Sequence, residues 1–265
     1  MGSLGEEGAV MPVKWVVGNW KMHGRLQDNA VLLAALATGA GRECGGAEAR
    51  VRMAVCVPFP YLAQAQALLA GSCVAWGAQD VSAQAQGAYT GEVAAAMVAE
   101  FGAAFAIVGH SERRAYHAES DAVVAQKTLR ALESGLTPIV CVGETASQRA
   151  AGQTEAVVGA QLRAVLDALT DEQAARLIVA YEPVWAIGTG NSASAEQAQQ
   201  VHAFLRATLR GKAGALVAVP LLYGGSVNAA NAAELFAAAD IDGGLVGGAS
   251  LKVADFLAIC AAAHA

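Results

Sequence analysis

Charge is sparse in this 265-residue chain: Asp, Glu, Lys and Arg make up only 15% of it. The 17 basic and 23 acidic residues leave a net charge of −6, and the basic ones are scattered. Without a basic cluster the chain lacks the electrostatic footprint of a nucleic-acid binder. Long apolar runs are missing too, although 55% of the residues are hydrophobic. The richest stretches are alanine-heavy and broken by Glu, Gln or Gly, so no membrane span is expected. The five cysteines (Cys44, Cys56, Cys73, Cys141, Cys260) show no CxxC spacing. That argues against a zinc site or a disulfide framework and fits a reducing, cytoplasmic compartment. The start, MGSLGEEGAVMPVKW, lacks the basic end and apolar core of a secretory signal, and Glu6 stands where a myristoylation motif needs Ser or Thr. Residues 1–12 read as a disordered leader, with Met11 an alternative start. The remainder, 13–265, reads as one domain with ample core.

What is present is regular alternation. Short β-branched runs are expected as strands at Lys14–Gly18, Arg52–Val57, Cys73–Ala78, Phe105–Val108, Thr137–Val142, Leu177–Tyr181, Val219–Tyr223 and Gly243–Val246. Helical spacing falls between them at Leu26–Thr38, Tyr61–Leu69, Glu92–Phe101, Asp121–Ser134, Glu155–Leu169, Ala195–Leu209 and Ala230–Ala238, with a last helix at Val253–Ala263. Gly39, Gly71, Gly102 and Gly135 are the expected stops. The strands lack polar alternation, as parallel strands covered on both faces require. A doubly wound open sheet is the rival arrangement, but eight regular units favour closure into a single (β/α)8 barrel.

Barrel chemistry sits on the loops after the strands' carboxyl ends, and polar residues collect there: Asn19, Lys21, His110, Glu112, Glu144, Glu182 and Ser226. Glu182 ends the sixth strand, before an apolar loop with Pro183 at one end and Gly188-Thr189-Gly190 at the other. It is either a solvated strand end or a base under a lid made of Pro183, Val184, Trp185, Ala186, Ile187, Gly188 and Thr189. In the second reading Trp185 and Ile187, when the loop closes, exclude water and raise its basicity. His110 begins a Ser111–Arg114 turn. It is either hydrogen-bonded to backbone or a neutral imidazole, favoured by a helix N-terminus, that donates to a carbonyl oxygen. Lys21 is a surface cation or a fixed one in the mouth, with Glu112 either holding it or capping a turn. Gly224-Gly225-Ser226 and Gly247-Gly248, at adjacent strand tips, read as a phosphate cradle fed by backbone N–H groups, with a short helix starting at Gly248 aimed at it. No dinucleotide or P-loop motif is complete.

These residues resemble the triosephosphate isomerase family from about Val13 onward. The shared strings are Asn19-Trp-Lys21, Gly87-Ala-Tyr-Thr-Gly-Glu92, Val108-Gly-His-Ser-Glu-Arg-Arg114, Cys141-Val-Gly-Glu144, Ala180-Tyr-Glu-Pro-Val-Trp-Ala-Ile-Gly-Thr-Gly190, Tyr223-Gly-Gly-Ser226 and Gly247-Gly-Ala-Ser250. The resemblance implies an aldose–ketose isomerase for triose phosphates, working without metal or organic cofactor. Glu182 is then the base, His110 the neutral electrophile and Lys21 the electrostatic partner. Pairing a glutamate base with a neutral histidine is a known property of this enzyme family and comes here with the resemblance. Asn19, Gly188, Ser226, Gly247 and Gly248 would contact substrate. The loop Gln79–Glu92, with Thr90 near its tip, would insert beside Met22 and His23 of a second copy, making a homodimer. Asp80 departs from the Asn of many relatives, which bears on that contact and not on the chemistry. Two other functions share part of the pattern, a different phosphate-binding barrel enzyme and a silent barrel scaffold. The complete set of Asn19, Lys21, His110 and Glu182 argues against the scaffold.

Overall fold

The computed structural model describes residues 13–42, 44, 49–187 and 193–264. The expectations placed on residues 1–12, and on Gly188, Thr189 and Gly190, lie outside the described residues. The strands are β1 (Lys14–Asn19), β2 (Val51–Val57), β3 (Val74–Ala78), β4 (Phe105–Val108), β5 (Thr137–Val142), β6 (Ile178–Tyr181), β7 (Leu221–Tyr223) and β8 (Gly243–Val246). All pair in parallel and in chain order, and β8 returns to β1, from Trp15↔Gly243 to Gly18↔Val246, to close the barrel. At this seam Gly243 has φ +142, and a Cβ there would sit 1.8 Å from the Trp15 carbonyl oxygen. A side chain at that position would hold the two strands apart.

Alternate strand residues point to two different apolar environments. Val17, Ala54, Cys56, Ile107, Ile139, Cys141, Ile178, Ala180 and Leu222 fill the barrel interior. Their neighbours Val16, Val55, Val108, Val140 and Val179 face the helices. Both sets are buried, which is why the strands read as continuous hydrophobic runs.

The helices differ from expectation in instructive places. Leu26–Gly39 runs through Gly39, which is used for close approach and not as a stop: a Cβ there would lie 2.5 Å from Leu257. The helix expected at Glu92–Phe101 forms only over Ala95–Glu100. Its first residues are drawn away because the Val93 carbonyl accepts from the Ser82 N–H at 2.8 Å. One helix expected at Glu155–Leu169 is Thr154–Leu166, flanked by two short ones, Ala146–Ala150 and Asp171–Ala174. Each short helix opens with a capping box, Thr145 with Gln148 and Thr170 with Gln173, a start signal that hydrophobic spacing alone does not reveal. β7 is shorter than expected because Pro220 has no N–H to give the ladder and the Val219 carbonyl is taken by Arg206. No helix among the described residues is long and apolar enough to cross a membrane.

Behind β6 and β7, on the helix Ala195–Lys212, His202 is completely buried. Its ring meets Tyr181 edge-on at 5.9 Å and tilts against Tyr223 at 6.4 Å. Nδ1 lies 3.2 Å from the Asp240 carbonyl oxygen, while Nε2 has no partner among the described residues. Burial, opposed by that carbonyl, pushes His202 down to about 4. The unfolded chain binds this proton near pH 6.5 and the folded chain does not, so the contribution to stability is whole above 6.5 and is lost as pH falls toward 4. We expect a loss of roughly 3 kcal/mol across that window, much reduced in His202→Phe. Thermal unfolding of both proteins at pH 7 and pH 4.5 checks this. Equal pH sensitivity in the variant would assign the loss to other groups.

Candidate active site

Closure of the barrel brings the carboxyl ends of the strands onto one rim. Asn19, Lys21, His110, Glu182, Ile187, Ser226, Gly247 and Gly248 line a single cavity there, of about 440 Å³. Asn19 ends β1 and is buried, and its Oδ1 accepts from the Lys21 N–H at 3.0 Å. That bond holds Lys21 at φ 53, a left-handed conformation disfavoured for a residue with a side chain. From it the ammonium reaches Glu112 Oε1 at 2.5 Å. Lys21 thus lines the cavity with Glu112 as its ion-pair partner.

His110 follows β4 and caps the helix Ser111–Tyr116: its Nδ1 accepts from the Glu112 N–H at 3.2 Å. Its Nε2 lies 2.8 Å from Glu182 Oε1, and the second carboxylate oxygen accepts from the Ser111 N–H at 2.8 Å. Two influences on His110 conflict. Burial lowers its pKa, and the Glu182 carboxylate, by charge and hydrogen bond, more than offsets this to raise it. The capping bond decides the form in our reading, because a protonated Nδ1 would surrender it and point a charge at the helix's positive end. The ring is then neutral with its proton on Nε2, donating to Glu182.

Glu182 is 2% exposed. Burial alone would raise its pKa, but His110, the Ser111 N–H and Lys21 together hold it below the usual carboxylate value. The sequence placed Trp185 and Ile187 in an apolar surround that forms when the loop closes. Here the Trp185 indole N–H donates to Glu144 Oε1 at 2.9 Å, and Arg149 lies over the ring at 4.4 Å. Ile187 does line the cavity. On the other side of Glu182, a Cβ on Gly143 would fall 1.9 Å from the Glu182 carbonyl oxygen, so only glycine lets β5 and β6 end this close together.

The glycine tips after β7 and β8 line the same cavity. The Gly247 carbonyl is occupied by Ser250, N–H at 2.8 Å and hydroxyl at 2.7 Å. These bonds tighten the short helix expected from Gly248 into a 3-10 turn, Gly248–Leu251. The Ser226 carbonyl accepts from Asn231 at 2.9 Å, fixing the turn after β7. Thr90, Met22 and His23 are exposed, outside the cavity.

Residues 14–263 match the sequence profile of triosephosphate isomerase. The triosephosphate isomerase of Cupriavidus pinatubonensis is 65% identical over 250 residues, covering 94% of this chain and 99% of that protein. The chain belongs to the triosephosphate isomerase family. The Ralstonia nicotianae triosephosphate isomerase is 64% identical over 247 residues, 93% of this chain and 97% of its own length. Among solved structures, triosephosphate isomerase from Bartonella henselae superposes with a TM-score of 0.84 at 38% identity, covering 95% of this chain and 99% of that one.

Membership in the triosephosphate isomerase family leaves two features that sequence reasoning did not assign. Glu144, at the tip of β5, is wholly buried; it also accepts from the Tyr181 hydroxyl at 3.1 Å and from Arg149 at 3.3 Å. With Trp185 on the same oxygen it ties the segment after Glu182 to the barrel. Its position at a strand tip was the available signal. The second feature surrounds Asp80. Lys127 bonds Asp80 at 2.7 and 2.8 Å and Glu119 at 2.6 Å, and Arg113 meets Asp80 at 2.9 Å and Glu119 at 2.6 Å. Two cations thus balance two carboxylates in a largely buried cluster joining the loop after β3 to the helix that His110 caps. Removing one cation leaves an uncompensated buried charge. Lys127→Met should cost about 3–5 kcal/mol of stability, and adding Asp80→Asn should restore part of it. Denaturant unfolding of the single and double variants tests this. A double variant no better than the single would refute the charge-balance account.

Proposed function

We propose that this chain interconverts dihydroxyacetone phosphate and D-glyceraldehyde 3-phosphate through an enediolate, with Glu182 moving the proton between C1 and C2. The observation that carries the reading is the Glu182–His110 contact at 2.8 Å, in the same cavity as Lys21 and the glycine tips. Substrate entering that cavity replaces Glu182 as the acceptor of the His110 Nε2–H, which then donates to the carbonyl oxygen. Freed from this bond, the buried carboxylate keeps its desolvation penalty and loses a stabilising partner, so its basicity rises when a carbon-bound proton must be taken. Oxyanion charge develops between the neutral imidazole and the Lys21 ammonium, two donors already in place. Asn19 holds Lys21 and meets the substrate oxygen. Backbone N–H groups near Ser226, Gly247 and Gly248 receive the phosphate. The segment from Pro183 to Ile187 forms part of a lid that excludes water and protects the enediolate; Gly188 and Thr189 are proposed to complete it, with Gly188 a phosphate contact. None of these steps calls for a metal or an organic cofactor.

Glu182→Asp tests the base directly. It keeps the charge but draws the carboxylate back by about 1 Å, a displacement worth on the order of 10²-fold in rate. A coupled triose-phosphate assay should show that loss in kcat with KM little changed. Wild-type turnover indifferent to the substitution would remove Glu182 from the chemistry.

The active form is proposed to be a cytoplasmic homodimer. Residues 84–92 of the loop after β3 are exposed, and a groove of about 460 Å³ opens beside the mouth between Met22, Phe59, Gln79, Tyr116 and His117. Met22 is 95% and Tyr116 81% exposed, large apolar surfaces that a partner's Thr90 loop would cover. Light scattering should give twice the chain mass of 26.8 kDa, and Thr90→Arg should shift it toward one. A wild-type monomer at micromolar concentration that retains full activity would overturn the dimer.

A further inference from the structure

We propose that Cys44 and Cys73 are a thiol–disulfide site, able to form a bond that staples the barrel on the face opposite the catalytic rim. The sequence spacing gave no sign of a pair, since the two residues are 29 apart. The fold brings their sulfurs to 3.0 Å. A disulfide is about 2.05 Å long, so the bond needs only about 1 Å of further approach. Cys44 lies just beyond the 3-10 turn Ala40–Arg42, and its Sγ–H donates to the Ala40 carbonyl at 3.2 Å, which fixes the direction of the side chain. Cys73 immediately precedes β3. Both therefore belong to the amino ends of the strands, where this architecture places stability and not chemistry.

Exposure singles out Cys73 among the thiols, and the 3.0 Å contact singles out Cys44 as its partner. Cys73 is partly exposed, while Cys44, Cys56, Cys141 and Cys260 are buried. Burial also pushes the Cys56 thiol up to about 12 and the Cys141 thiol well upward, so both stay protonated and unreactive. An oxidant reaches Cys73 first, and Cys44 waits beside it as the resolving thiol.

The co-reactant is a low-molecular-weight disulfide such as oxidised glutathione. The Cys73 thiolate attacks one of its sulfurs, breaking that S–S bond and releasing one thiolate. The Cys44 thiolate then attacks Cys73 Sγ, forming the Cys44–Cys73 bond and releasing the second thiolate. The two protons given up by the protein thiols end on the two released thiols. The protein is oxidised by two electrons and the small disulfide is reduced by two. The closed ring contains β2 and the helix Leu62–Leu69, so cross-linking removes a sizeable share of unfolded-chain entropy.

The experiment uses the full-length protein incubated with oxidised glutathione, then alkylated and digested for mass spectrometry. We expect a Cys44–Cys73 linked peptide, loss of two alkylatable thiols and a rise in Tm of about 5–10 °C, all reversed by dithiothreitol. Cys44→Ser should instead stop at the glutathione adduct on Cys73. Triose-phosphate turnover of the oxidised protein should stay within about twofold of the reduced form, because the bond lies away from the rim. This activity readout depends on the proposed function, whereas the peptide and Tm readouts do not. Wild-type protein that remains fully alkylatable, that halts at a Cys73 adduct, or that links a different pair overturns the proposal. A linked peptide without a rise in Tm overturns the stapling role.

Discussion

A carboxylate 2% exposed to solvent is costly to keep ionised, and the arrangement of the catalytic rim follows from how Glu182 meets that cost. Its two oxygens take the His110 Nε2–H and the Ser111 N–H, the side chain and first helical residue of one short turn after β4. That turn is itself capped by the other nitrogen of the same imidazole. A single residue, His110, thereby fixes the helix start, chooses its own tautomer and holds the carboxylate. The resting partners of Glu182 are also the groups a substrate carbonyl would claim. Displacing either partner would leave the buried carboxylate with its desolvation cost and less to offset it.

The same balance of charge and burial applies a layer further out. Lys21 is held in an unfavourable backbone conformation by the Asn19 side chain and anchored by Glu112, the second residue of the helix that His110 caps. Arg113, the next residue, enters the buried cluster with Asp80, Glu119 and Lys127. Consecutive residues of one short helix thus connect Glu182, Lys21 and the ionic cluster beneath the exposed loop after β3. The Asp80 carboxylate illustrates the balance required. Burial, partly offset by Lys127, raises its pKa, while Lys127 and Arg113 lower that of Glu119 despite its burial. The two carboxylates share the same two cations, and neither could keep its charge without them.

Much of this was legible in the sequence because the barrel converts one-dimensional order into position. Eight hydrophobic runs sufficed to predict closure, and closure sufficed to put Asn19, His110, Glu182, Ser226 and Gly247 on one rim. Even the residues that mark strand tips, Gly143 and Glu144, stood where expected. What could not be read were contacts chosen by side-chain direction between distant loops. Trp185 and Glu144 are 41 residues apart, Lys127 and Asp80 are 47 apart, and neither pairing has a local spacing rule. Helix boundaries failed for a different reason: tertiary demands overrode local ones. Gly39 was needed for its smallness against Leu257, and the Val93 carbonyl was needed by Ser82.

The barrel also keeps two kinds of demand apart. At the carboxyl rim, stability is given up for function: a left-handed Lys21, a buried carboxylate and glycines that leave backbone uncovered. At the amino end, groups are free to be arranged for cohesion alone. There Arg52 lies over the Trp15 ring at 5.0 Å, and Trp15 meets Phe105 edge-on at 5.8 Å. Arg206 also joins Asp240, Asp242 and the carbonyls of Val217 and Val219. The Cys44–Cys73 pair falls on this second face, where a covalent link can tighten the chain without touching the geometry around Glu182. Because strain at the rim must be over-determined by the surrounding structure, reinforcement placed at the far end of the same strands supports the site it never contacts.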